Sequence, residues 1–270
     1  MSKSNGFLLE YLVSLPRTFA GEPYLHEGDR DITLHFDFWA TQSKMLKADP
    51  DKLILGYTRT MMGFLIFQPK PERIAMIGLG GGSLAKYCLR HVPDAHFTAV
   101  EIDPDVIALR EKFMIPPDGP NFKVICDDGA VYVQSRSELV DVLLIDGFDR
   151  EGLPSQLCSA GFYDHCYAKL REGGVLVVNM LSGDGKLGTY AQRIRESFDD
   201  QVVVVEAEES GNKIAFAYKG RDFPPLATTM SERVSDLRPT HAVPLHTIAQ
   251  KVIRRLKQRT KSIHLLSDCF

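Results

Sequence analysis

One stretch limits the possible folds more than any other. From Arg73 to Asp103 the chain reads RIAMIGLGGGSLAKYCLRHVPDAHFTAVEID: an apolar run of strand length, glycines at 78, 80, 81 and 82, a helix-length segment, then a second apolar run that ends at acids. A strand that hands over to a helix through clustered glycines needs backbone at positive φ, and it leaves the helix N-terminus open to close approach by a ligand. Strand, glycine turn, helix and strand make a βαβ unit, so the segment predicts parallel pairing.

The same alternation continues downstream. RIAMI, HFTAVEI, FKVIC, VDVLLID and GVLVVNM are continuous apolar runs of the kind required by a sheet covered on both faces. Helical stretches lie between them: SLAKYCLRHV, PDVIALREKFM with Pro104 at its start, GAVYVQSRS and SAGFYDHCYAKLRE, followed by TYAQRIRESF. QVVVVEA and KIAFAYK are then separated only by EESGN, too short for a helix, which predicts an antiparallel hairpin. The expected class is α/β: a doubly wound, mostly parallel, seven-stranded Rossmann-like sheet that ends in this hairpin. Ahead of it, EPYLHEGDRDITLHFDFW predicts two strands of a small β element and DKLILGYTRTMMGFLIF a helix, with a further short amphipathic helix in GFLLEYLVSL. The expected divisions are 1–66 for this N-terminal region, 67–220 for a nucleoside-binding α/β domain, and 221–270 for an irregular, proline-punctuated segment and a basic C-terminal helix.

Composition narrows the function. A formal charge of −3 gives no overall attraction to nucleic acid, and the basic residues of the last helix, without interleaved aromatics, are expected to form a solvated face. Five cysteines with no C-x-x-C pair argue against a disulfide framework and a zinc ribbon, and fit a reducing cytoplasm. The scattered histidines offer no metal-ligand spacing, so no metal is expected. No run approaches the length of a membrane span.

The dinucleotide fingerprint G-x-G-x-x-G would place its third glycine at position 83, which is Ser83; the fit is to G-x-G-x-G through Gly78, Gly80 and Gly82. That form, with Glu101 ending the next strand, resembles the AdoMet-binding turn of class I methyltransferase-like folds. A carboxylate at Glu101 is placed to accept from both ribose hydroxyls, and Asp128, in CDDGA, from an adenine amino group.

The segment from 143 to 180, LLIDGFDREGLPSQLCSAGFYDHCYAKLREGGVLVVNM, resembles the spermidine synthase family of polyamine aminopropyltransferases. It carries that family's D-x-x-D at Asp146 and Asp149, then Pro154, Phe162-Tyr163 and LREGGVL in order. The resemblance covers roughly residues 30 to 220. It implies decarboxylated AdoMet or AdoMet as co-substrate, a small amine as acceptor, no nucleic-acid or membrane partner, and possible homodimerisation. Matched by position, Glu101 is the ribose acid, Asp128 the adenine acid, Asp146 the catalytic aspartate and Gln42 a glutamine near the nucleoside; Asp149, with Glu151, would hold the far cationic end of a polyamine. Three departures stand out. Gly81 occupies the place of the family's donor-pairing aspartate, Arg150 follows Asp149, and Gly56-Tyr57 replaces a tyrosine–histidine pair on the acceptor side. Aminopropyl transfer to an amine, with Asp146 orienting and deprotonating it, is therefore the leading expectation. AdoMet-dependent methyl transfer and a non-catalytic nucleoside-binding module are the alternatives.

Overall fold

A computed structural model describes residues 23–35, 41–148, 152–209, 211–221 and 223–267, with side chains to 258. The expected N-terminal helix, Asp149, Arg150, Glu151 and Cys269 lie outside the described residues. Among those that are described, no helix is long and apolar enough to cross a membrane.

The N-terminal region forms an antiparallel sheet of β1 (Tyr24–Glu27), β2 (Asp31–His35) and β3 (Thr41–Leu46) in that order. The first two were expected; β3 was not. TQSKML alternates exposed and buried side chains, with Ser43 and Met45 turned inward, but only Met45 and Leu46 are apolar enough to suggest a strand in the sequence. Two short helices follow, α1 (Gly56–Met61) and α2 (Phe64–Phe67), where one helix was expected. The break falls at Gly63, which packs so closely on Phe216 and Ile248 that a Cβ there would sit 2.8 Å from each. Met61, Met62, Phe64 and Phe67 are all core.

The main sheet has seven strands: β4 (Arg73–Ile77), β5 (His96–Glu101), β6 (Phe122–Cys126), β7 (Val140–Ile145), β8 (Leu170–Leu181), β9 (Val202–Glu206) and β10 (Asn212–Tyr218). Their order is β6-β5-β4-β7-β8-β10-β9, with β10 antiparallel to both of its neighbours and the first five strands of that order running parallel. The fold class and the terminal hairpin are as expected. Crossovers are α3 (Ser83–His91), α4 (Pro104–Ala108), α5 (Gly129–Tyr132), α6 (Ala160–Lys169) and α7 (Leu187–Ser197). Helices α4 and α5 stop earlier than their sequences suggested, the chain continuing as turns.

Alternate residues of the strands feed two apolar cores. Ile74 and Met76 point to one, shared with the N-terminal region, α3 and the tail; Ala75 and Ile77 point to the other, beneath α6 and α7. The stretch 221–244, expected to be irregular, contains a helix, α8 (Ala227–Leu237), whose Met230 and Val234 are buried one turn apart. Nearby prolines and a polar composition mask this two-residue apolar stripe in the sequence. The tail closes with α9 (Leu245–Ser267), which lays Ile248, Ala249 and Val252 on the core, while Lys251 and Arg255 engage Glu206.

Candidate active site

Strand register brings the site together. Ile77 of β4 lies level with Val100 of β5 on one side and Ile145 of β7 on the other. Gly78, Glu101 and Asp146 therefore leave the sheet at one edge, where the chain order switches sides about β4 and a crevice opens beyond the carboxyl ends of the strands. A cavity of about 120 Å³ occupies that position, lined by Gln42, Tyr57, Gly78, Gly80, Glu101, Asp128 and Asp146, with Ile102, Phe148 and Gln156 completing its walls.

The glycine turn is built as the sequence requires: Gly78, Gly80 and Gly82 have φ of 91°, 51° and 65°. Gly78 is also pressed against the backbone of Asp146, so that a Cβ would overlap the Asp146 carbonyl, and it ties the first strand end directly to the fourth. Gly82 shapes the turn from outside the cavity: it caps α3, backed by Ile115. Gly81 stands where a side chain has no room, since a Cβ would lie 2.5 Å from Ser43 Oγ and 2.8 Å from the Phe113 ring.

Glu101 is buried and doubly engaged. One carboxylate oxygen accepts from Leu79 N at 2.8 Å and the other from Asp103 N at 3.1 Å. The first bond locks the glycine turn to the end of β5. Asp128 caps α5 by accepting from Ala130 N at 2.7 Å while lining the cavity.

Asp146 has two polar neighbours, Asn179 and Tyr57. Asn179 Nδ2 donates to its Oδ1 at 2.8 Å, and the neighbouring Tyr57 donates its hydroxyl proton to the Gln42 carbonyl at 3.2 Å. Desolvation nonetheless dominates and raises the Asp146 carboxyl to about 7, the two donors only partly opposing it. Tyr57 is raised well above its ordinary value by burial and by the neighbouring Asp146 charge, and so remains a neutral donor. Asn179, Asn212, Phe148 and Gln156 were not anticipated. For Asn179 there was a signal, an amide inside the otherwise apolar GVLVVNM.

Among the described residues no three histidine, cysteine or acidic side chains converge as a metal would need, and Cys88, Cys126, Cys158 and Cys166 are free thiols.

Comparison with known proteins gives the same assignment. Residues 54–209 match the spermine/spermidine synthase domain. The chain is 33% identical over 235 residues to the polyamine aminopropyltransferase of Neisseria meningitidis serogroup A, covering 86% of this chain and 89% of that one. A probable spermidine synthase from Corynebacterium glutamicum superposes with a TM-score of 0.65 at 19% identity, over 86% of this chain and 94% of that chain. The core fold is shared with human methyltransferase-like protein 13, at a TM-score of 0.63 and 23% identity over 69% and 92% of the two chains. With the sheet, the glycine turn and the strand-end acids in place, the chain belongs to the spermine/spermidine synthase family, the polyamine aminopropyltransferases.

Proposed function

We propose that the cavity binds decarboxylated AdoMet and an aliphatic amine, and that Asp146 orients the amine and removes its proton as it attacks the donor. The single observation that carries this is Asp146 itself: a carboxylate at a strand's carboxyl end, backed onto the glycine turn and raised to about 7.

The chemistry needs one proton removed. A free alkylamine is protonated at neutral pH, and its lone pair is unavailable until an N–H proton leaves. Asp146 takes that proton. The nitrogen lone pair then forms a bond to the methylene carbon beside the sulfonium, the C–S bond breaks with its electrons passing to sulfur, and methylthioadenosine departs as a neutral thioether. The product is a secondary ammonium that keeps its remaining protons. An ordinary aspartate is a poor acceptor from an alkylammonium; raising it from 3.8 to about 7 reduces the uphill gap by roughly 4 kcal/mol.

Glu101 and Asp128 suit the nucleoside, the first through the ribose diol and the second through the adenine amino group, with Gln42 alongside. Tyr57, beside Asp146 on α1, supports the acceptor end, and Asp149, outside the described residues, is proposed for the distal ammonium of a diamine. Gly81 removes one carboxylate from the donor's tail, so discrimination against AdoMet falls to the shape of the pocket and the acceptor chemistry. The test is release of methylthioadenosine from decarboxylated AdoMet in the presence of diamines. An aminopropylated product that disappears in Asp146→Asn supports the proposal, and undiminished turnover in that variant overturns it.

A further inference from the structure

Asn179 is 1% exposed, within a strand whose other buried residues are apolar. A buried amide must have its donors and acceptor answered or bear a penalty of about 1–3 kcal/mol. Both ends are answered here. Nδ2 donates to Asp146 Oδ1 at 2.8 Å, and Oδ1 accepts from Asn212 Nδ2 at 2.8 Å. Asn212 lies on β10, beyond the cavity wall. Pairing of Ile214 with Asn179 and of Asn212 with Leu181 sets the two asparagines diagonally on one face of the sheet, within side-chain reach.

The two ends of an amide are electrically opposite. An ionised carboxylate only accepts, so the Nδ2 end of Asn179 must face Asp146; turned over, the amide would direct its carbonyl oxygen at the carboxylate. Beside a protonated Asp146, which can donate as well as accept, Asn179 has no such preference. Asn212 supplies one, because its donor holds the Asn179 oxygen away from Asp146.

The hairpin that carries Asn212 also grips the helix on the opposite side of the carboxylate. Glu208 N donates to Thr60 Oγ1 at 3.1 Å, and Arg59 pairs with Glu208 at 3.1 Å and with Glu209 at 2.7 Å, one helical turn or less from Tyr57. The amide that donates to Asp146 and the helix that carries the neighbouring Tyr57 are thus both braced from the β9–β10 hairpin.

We propose that Asn212 is a positioning residue of the transfer reaction, acting from outside the cavity by fixing the Asn179 amide with its donor end on Asp146. The inference rests on the reading of Asp146 as the proton acceptor. The groups facing that carboxylate are Tyr57 from α1, Asn179 from β8, and the acids Glu101 and Asp128 lining the same cavity; no lysine, arginine or histidine is among the described residues that line it. With no cation among these described residues, Asn179 and Tyr57 are what favour the ionised form.

The test is the pH dependence of kcat/KM for methylthioadenosine release, using decarboxylated AdoMet and the best diamine. It compares the unaltered chain with Asn212→Leu, Asn212→Ser and Asp146→Asn, each checked by its melting temperature. Asn212→Leu keeps the size and removes the donor. Its acid limb is expected to move up by about one pH unit, with about a fivefold loss at pH 7, as the amide turns and the neutral acid is favoured. Asn212→Ser, which restores a hydroxyl donor, should recover part of that shift. If the leucine variant melts early, the serine variant is compared with Asn212→Ala for the same difference. An unmoved acid limb in folded variants, with Asp146→Asn inactive, overturns the role of Asn212 alone. Activity retained in Asp146→Asn overturns the reading of Asp146 and this inference with it.

Discussion

At the scale of single residues, Asp146 combines two properties that work against each other. Burial raises its carboxyl to about 7, which suits the proposed proton transfer, and also penalises the folded chain for carrying the charge. The folded-state value is raised, so stability associated with this group is greatest in acid and is lost as pH rises from about 4 to about 7. Asp146→Asn should therefore lower kcat/KM by about 100-fold or more while raising folding stability at pH 8 by about 1–2 kcal/mol, and by less at pH 5. Denaturant titrations at the two pH values, beside the assay, check both halves. Glu101→Gln removes a charged acceptor that also holds Leu79 N, and should weaken nucleoside binding by about tenfold or more, measured by calorimetry with methylthioadenosine. These residues were legible in the sequence because each immediately ends or follows an apolar strand, where a carboxylate has no packing role. Asn212 was not, because its connection to Asp146 runs through strand register, and no local pattern encodes which residues of two strands face each other.

At the scale of elements, the β9–β10 turn and α1 are bonded and packed directly against each other. Gly56 starts α1 directly against the Glu208 carbonyl, where an added methyl group has no space. Gly56→Ala must push the helix off the hairpin and carry Tyr57 with it. We expect a loss of about 1–3 kcal/mol in stability and a KM for the amine that rises more than kcat falls, read from thermal melts and steady-state kinetics. The seven main strands were legible as continuous apolar runs, and the short EESGN linker identified the hairpin. What escaped were elements whose apolar signal is weak or interrupted. β3 has a polar first half, α8 buries only Met230 and Val234, and the break between α1 and α2 depends on Gly63 meeting Phe216 and Ile248, partners far away in sequence.

At the scale of the whole molecule, the tail is tied to the helix that leaves the glycine turn. The Tyr87 hydroxyl of α3 meets His241 Nδ1 at 3.2 Å, with the His91 ring tilted against both rings. Burial, and then the neighbouring His91, lower His241 to about 4. A histidine whose folded value lies below its ordinary 6.5 supports the fold above that pH and loses its contribution as pH falls toward 4. His241→Phe should make stability less sensitive to acid, removing about 1–2 kcal/mol of the loss between pH 7 and pH 5, as seen in melting temperatures at the two values. An unchanged slope would assign the acid sensitivity to other groups.

The central claim, that this molecule is an aminopropyltransferase whose amine is deprotonated by Asp146, meets its most direct test in one assay. The unaltered chain and Asp146→Asn are each supplied with decarboxylated AdoMet and a panel of aliphatic diamines, and methylthioadenosine and the aminopropylated amine are quantified together. The account predicts equimolar formation of the two products by the unaltered chain and near-complete loss in the variant. Equal rates from both chains, or no methylthioadenosine with any diamine, would contradict it.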